Sequence, residues 1–365
     1  MGREALRKLM IRAREGAVKR LGHKRRGVWE IEVDIEGKSA PAIVYTDLTG
    51  CVKEGDRVLL NTTADFLGLG TGGYSFVMAN LDDTDSDLSG PGHIMKLRYT
   101  PMQVKCLAAE EQNSRFHKQI KDFDSLKGRP VVVVPLHSML GPLCALVKIV
   151  FNDTKIGYVM TDGAALPAAF SKTVHELKKL RLLDLVITAG NAFGGDLETV
   201  NFYTGIIAAD KVGNCDLIIV GMGPGITGTG TKFGFTGVEQ GYIIDGINTL
   251  EGLPVVIPRV SFADKRERHK GISHHSLTVL KDIAKTKALL SLPLLEKQKN
   301  EYITGQIRKF NIEKKHTVVF NRGDKVIGAM EEFGLQTTTM GRGIDEDRDF
   351  FLTVGAAAEV LSEYL

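Results

Sequence analysis

Two stretches concentrate the residue types that do chemistry. ADKRERHKGISHHS, residues 263–276, sets Lys265, Arg266, Arg268 and Lys270 against Asp264 and Glu267 and adds His269, His274 and His275. Ser273 reads as an N-cap for a helix carrying the last two histidines. Imidazoles at a helix N-terminus tend to stay neutral, ready to act as acid/base groups, hydrogen-bond donors or metal ligands. GMGPGITGTGTKFGFTG, residues 221–237, holds seven glycines and four threonines in 17 residues. Glycines at Gly223, Gly225, Gly228 and Gly230 let backbone N–H groups converge on an anion. Thr227, Thr229 and Thr231 offer hydroxyls, Lys232 a point charge, and a helix from Val238 its positive end. The loop contains GxGxxG at 223–228 and P-loop-like spacing at 225–232, but lacks the helix opening of the first motif and the Lys-Ser/Thr ending of the second. A nicotinamide dehydrogenase and a P-loop ATPase are therefore not expected.

These groups need a scaffold that brings them to one edge. VVVVPL (131–136), LDLVITA (183–189), CDLIIV (215–220), LPVVIPRV (253–260) and HTVVFN (316–321) are continuous apolar runs, as strands buried on both faces should be. ALVKIVF (145–151) and IGYVMT (156–161) read as further strands or an antiparallel insertion. Helical segments fall between, at 168–180, 197–209, 238–250, 276–287, 294–309 and 324–333, with another at 350–365. This alternation predicts an α/β domain over 93–365: a mostly parallel, doubly wound sheet with helices on both faces. Ligands in such sheets bind beyond the carboxyl ends of the strands. The residues following the strands are His137-Ser138, Asp162-Gly163, Gly190-Asn191 with Gly195-Asp196, the glycine loop, and Arg259 with the 263–276 stretch. The candidate acid/base groups are His137, Asp162, His274 and His275. The candidate ligand contacts are Asn191, Gly195, Asp196, the glycine loop with Lys232, Arg259, Arg266, Arg268 and His269.

A transition-metal site competes for the same residues, but no HExxH-like spacing is present. Adjacent histidines on a helix point about 100° apart, which disfavours both on one ion. No cofactor is certain. Magnesium arriving with a phosphate would need only Asp162 or Asp196.

Ahead of the α/β pattern, residues 27–92 read as a small antiparallel β-barrel or sandwich ending in an acidic linker. WEIEVDIEG alternates Ile31, Val33 and Ile35 with four acids. DDTDSDLSGPG lacks the glycine and bidentate glutamate of a calcium loop, at Leu88 and Ile94. Residues 1–26 carry ten Lys/Arg and two Glu; the other 37 basic and 42 acidic residues make the remainder mildly acidic. This segment predicts a basic helix over 3–22: packed on the body, an arm toward RNA or anionic lipid, or an extension from a generous start codon. Nucleic acid is not expected as a partner except through it. No 18-residue apolar run or secretory signal is present, and the four cysteines lack metal or CxxC spacing. A reduced, cytoplasmic protein fits, with a homodimer as the default assembly.

NTTADFLGLGTGGYSFVMANL, VVPLHSML, TDGAALP, TAGNAFGGDLETVNFYTG, GPGITGTGTKFGFTG and SFADKRERHKGISHH together resemble an uncharacterised bacterial family, a domain of unknown function common in Gram-positive and thermophilic lineages. The resemblance covers residue 27 onward and brings no activity or catalytic residue with it. On the residues alone, the expectation is an enzyme of transferase or hydrolase type acting on a small anionic, phosphate- or carboxylate-bearing metabolite. The alternative is a non-catalytic nucleotide or metabolite sensor working through a protein or RNA partner.

Overall fold

A computed structural model of the chain describes residues 10–70 and 72–365. It separates into two compact units, one running to Pro91 and including Tyr99–Val104, the other made of Gly92–Arg98 and Lys105–Leu365.

The first unit is a closed barrel of β1 (Ala13–Arg25), β2 (Val28–Ile35), β3 (Lys38–Val44), β4 (Arg57–Asn61) and β5 (Ser75–Asn80), in the order β1-β2-β3-β5-β4. All pairs are antiparallel except β3 with β5, the strand order of an OB-type barrel. Val18, Ile31, Val33, Ala42, Val58, Leu60 and Val77 fill it.

The expected basic helix is corrected here. Residues 3–9 lie outside the described residues, and Ala13–Arg25 is the longest strand of the barrel. Gly16 and Gly22 weaken a helix at this place, and β2 supplies a row of acids opposite the basic residues. Lys19 pairs with Asp34 at 2.8 Å, Arg20 with Glu32 at 3.2 Å, Arg25 with Glu30 at 3.6 Å, and Arg14 with Glu36 at 3.0 Å. Much of the positive charge of this segment is thus met within the barrel.

The second unit opens with the short strand β6 (Ile94–Lys96), and the chain returns to it along β7 (Val104–Cys106). Its main sheet contains β8 (Pro130–Val133), β9 (Ile156–Thr161), β10 (Leu185–Ala189), β11 (Leu197–Thr199), β12 (Leu217–Met222) and β13 (Leu253–Val256). A hairpin of β14 (Val260–Ser261) and β15 (Gly271–Ile272) intervenes before β16 (Leu289–Pro293) and β17 (Thr317–Asn321). The eight-stranded order is β11-β10-β9-β12-β8-β13-β16-β17, parallel throughout.

Alternate residues of one strand enter opposite cores, as a strand period of two requires. Val132 packs with helices Leu140–Val150, Lys172–Lys179, Lys325–Glu332 and Arg348–Leu361. Val131 and Val133 pack with Phe202–Lys211, Glu239–Thr249 and Lys297–Phe310. ALVKIVF is not a strand; it lies mostly in the helix Leu140–Val150. Both states suit a continuous apolar run, and the length of the buried stretch, extending back to Leu140, favours helix. The helix Phe202–Lys211 starts on a capping box, with Asn201 Oδ1 accepting from Thr204 N at 3.1 Å. Among the described residues no helix is long and apolar enough to cross a membrane, and all four cysteines are unpaired.

Because every strand of the main sheet is parallel, all the carboxyl ends share one edge. The chain leaves β9 toward β10 but leaves β12 toward β13, in the opposite direction along the sheet. The neighbouring strands β9 and β12 therefore flank a crevice where the connecting loops diverge.

Candidate functional site

The carboxyl edge carries two separate groups of side chains. The first lies beyond β12, β8 and β13. Arg259 follows β13 and is buried; its Nη2 donates to Asp264 at 2.6 Å, and its Nη1 lies 3.2 Å from His269 Nδ1. Arg266 holds the same carboxylate by two bonds, Nε to Oδ1 at 2.9 Å and Nη2 to Oδ2 at 2.8 Å. The arginines, Arg266 foremost, keep the Asp264 carboxyl far below the usual carboxylate range. Arg342 is held by Asp347 at 2.8 Å. Arg268 differs: among the described residues it makes no ion pair, and its Nη1 lies 3.8 Å from where a Cβ on Gly230 would stand.

Three histidines complete this group. Ser273 caps the short helix His274–Thr278, and its Oγ lies 2.8 Å from His269 Nδ1. The ring centroids of His269 are 5.0 Å from His274 and 5.3 Å from His275, and the last two are 4.1 Å apart. Phe235 stacks on His275 at 4.1 Å and 10°. Burial pushes the His269 pKa down to about 3, with Arg259 adding to the effect. Burial and then His274 bring His275 to about 4, and His274 is lowered chiefly by burial. Burial thus favours the neutral form of all three. Despite the step of about 100° between neighbours on a helix, one ring nitrogen from each of the three histidines lies within 4.8 Å of the others.

His269, His275, Arg259, Arg266 and Arg268 line a small cavity of about 80 Å³ with Thr227, Gly228 and Gly230 of the glycine loop. It adjoins a groove of about 330 Å³ lined by His137, Ser138 and Gly223–Ile226. Gly228 has a specific reason to be glycine: a Cβ there would lie 3.1 Å from His275 Cε1.

The remaining loop residues are used differently from expectation. Thr229 Oγ1 and Thr231 Oγ1 lie 2.9 Å apart, and Thr229 Oγ1 donates to Gly234 O at 2.9 Å. Their hydroxyls close the loop on itself. Lys232 pairs with Asp282 at 3.0 Å and does not line the cavity. His137 packs in a polar network, Nε2 to Ser171 Oγ at 2.7 Å and Nδ1 to Tyr158 OH at 3.2 Å, while the tyrosine donates to Met222 O at 2.9 Å. Burial pushes its pKa down to about 4. Asp196 accepts from Lys178 Nζ at 2.6 Å and from Val186 N at 2.9 Å, toward the amino end of β10. Gly195 is packed against the same strand. Neither lines a cavity described above.

The second group lies beyond β9 and β10, around a cavity of about 470 Å³ lined by Asp162, Asn191, Lys96, Glu239, Phe202 and Tyr242 among others. Asp162 Oδ2 accepts from Asn191 N at 2.9 Å. Gly190, at φ +67°, leaves room for this carboxylate. Thr161 Oγ1 donates to Glu239 Oε1 at 2.5 Å. Burial raises the Glu239 pKa from 4.5 to about 7, against the Thr161 bond and with help from Asp162. The folded chain therefore keeps a proton that the unfolded chain releases between these two values. Stability should fall as pH rises through that window, by up to about 3 kcal/mol, and level off above it. Glu239→Gln should remove the slope, matching the wild type at pH 4.5 and exceeding it at pH 8. Urea unfolding at the two pH values checks this, and equal midpoint differences at both would refute it.

Lys96 and Glu239 were not anticipated. A lone lysine in a short strand carries no sequence signal, and Glu239 reads only as a first-turn acid. The second unit is thus an α/β unit built on a parallel sheet, and the first is a small β-barrel. The chain belongs to the family described as Protein of unknown function (DUF3866), whose model matches residues 41–358. The match begins within β3. No curated protein matches the chain.

Proposed function

We propose that the chain binds a small anionic metabolite, bearing phosphate or carboxylate, in the Arg268–histidine cavity and acts on it as a transferase or hydrolase. One observation carries this reading: the uncommitted Arg268 and two neutral histidines line a single cavity beside the glycine loop. A cavity of about 80 Å³ suits one anionic group, and the adjoining 330 Å³ groove suits the rest of a metabolite. Arg268 supplies charge, while Asp264 already absorbs much of Arg259 and Arg266 and fixes their positions. Each neutral imidazole offers one N–H to the oxygens of the bound group and one lone pair to a proton. A homodimer and magnesium carried by the ligand belong to the same proposal.

The test is thermal unfolding against nucleotides, sugar phosphates and dicarboxylates, with and without magnesium. A ligand at 100 times its dissociation constant adds about 2.7 kcal/mol, a shift of a few degrees at most for a chain of this size. A shift with one chemical class supports the reading and supplies a substrate to assay for turnover. No shift across the panel counts against it.

A further inference from the structure

We infer that His269, His274 and His275 form a three-imidazole site for a divalent transition-metal ion, with its open coordination position facing the Arg268 cavity. The inference rests on the reading of that cavity as a ligand site and adds the ion to it.

Three observations converge. One ring nitrogen of each histidine lies within 4.8 Å of the others. Nitrogens at about 2.0–2.1 Å from a shared ion are about 3.4 Å apart in a tetrahedron, so closing the site takes small side-chain rotations. His274 Nε2 is buried and has no hydrogen-bond partner among the described residues. A buried imidazole nitrogen without a partner is costly to leave, and an ion would satisfy it. The rings are also held from behind. His269 Nδ1 lies 2.8 Å from Ser273 Oγ and 3.2 Å from Arg259 Nη1, so a ligating Nε2 goes with the tautomer in which Nδ1–H donates to Ser273, and Phe235 stacks on the ring of His275. Metal-binding imidazoles are commonly oriented by such a partner on the other nitrogen.

The chemistry of the donor set narrows the ion and its fourth ligand. Imidazole suits zinc, cobalt, nickel and copper rather than magnesium or calcium. Three neutral imidazoles leave the full double charge of the ion uncompensated, and no carboxylate belongs to the cluster. The open position then favours an anionic oxygen donor, and Arg268 stands on the same cavity to share it. The ligand class is therefore an oxyanion bound jointly by metal and guanidinium, with the ion acting as a Lewis acid on its oxygen.

The experiment is a titration of the chelator-treated, untagged full chain with Co²⁺, followed by its visible d–d absorption. The expected result is one Co²⁺ per chain with an intense, four-coordinate spectrum that changes on adding inorganic phosphate. His274→Ala should weaken binding by more than about 100-fold, beyond the 10–100-fold typical of losing an outer partner. His275→Gln serves as a second variant if His274→Ala does not fold, as judged by circular dichroism. Absence of stoichiometric binding, or unchanged affinity in a folded variant, overturns the inference. Thermal unfolding with phosphate in the presence of chelator separates it from the broader reading. A phosphate shift without cobalt binding removes only the metal. Cobalt binding with no response to any anion keeps the metal and removes the proposed function.

Discussion

Arg268→Ala should weaken binding of the anionic ligand by about 10- to 150-fold while leaving the unfolding midpoint of the free protein unchanged. The magnitude is that of one charge-assisted hydrogen bond, about 1.5–3 kcal/mol. The lack of a stability effect follows from its surroundings: Arg268 is exposed and makes no ion pair among the described residues. Arg259→Ala should behave differently. Asp264 would lose its 2.6 Å partner while its side chain is 3% exposed, so stability and binding would fall together. Lys232→Ala should leave binding unchanged, because that ammonium faces Asp282. Isothermal titration calorimetry on the three variants, with a ligand found by the unfolding panel, checks the ranking. Equal losses for Lys232 and Arg268 would return the anion to the glycine loop itself.

Glu198→Ala should cost about 3–5 kcal/mol, the range for stripping one partner from a buried ion pair. Lys96 is 1% exposed and sits 2.6 Å from Glu198 Oε2. Its Nζ also donates to Thr188 O at 3.0 Å and Ala192 O at 2.6 Å. The same glutamate accepts from Thr188 Oγ1 and from Gly194 N, both at 2.7 Å. Without the carboxylate, the ammonium keeps two carbonyls but loses its counter-charge. Replacing both residues by apolar ones, as in Lys96→Met with Glu198→Leu, should recover part of the loss. Urea denaturation of the single and double variants measures this. A single-variant loss under 1 kcal/mol would mean that water reaches the ammonium.

The sheet was legible because strands buried on both faces leave continuous β-branched runs such as VVVV, and because the residues after those runs were polar. Residues 145–151 misled for the same reason: a fully buried helix shows no polar face and imitates a buried strand. The basic N-terminal segment misled because its partners are elsewhere in the chain. Nothing local in residues 13–25 tells of Glu32 and Asp34 lying opposite. In the site, residue types were legible but their commitments were not. Arg266, Arg268 and Lys232 look alike as cations, and only the fold assigns Asp264 to the first and Asp282 to the last, and leaves Arg268 without an acid among the described residues. The threonines of the loop were equally ambiguous, since a hydroxyl that donates to a ligand and one that closes a turn share the same sequence.

The most direct test of the anion site is a titration with inorganic phosphate read on the imidazole ¹H–¹⁵N signals of His269 and His275. Both sets of signals should move together and saturate, and Arg268→Ala should shift saturation to at least about 10-fold higher phosphate. Signals that stay fixed, or that respond identically in the wild type and Arg268→Ala, would contradict it.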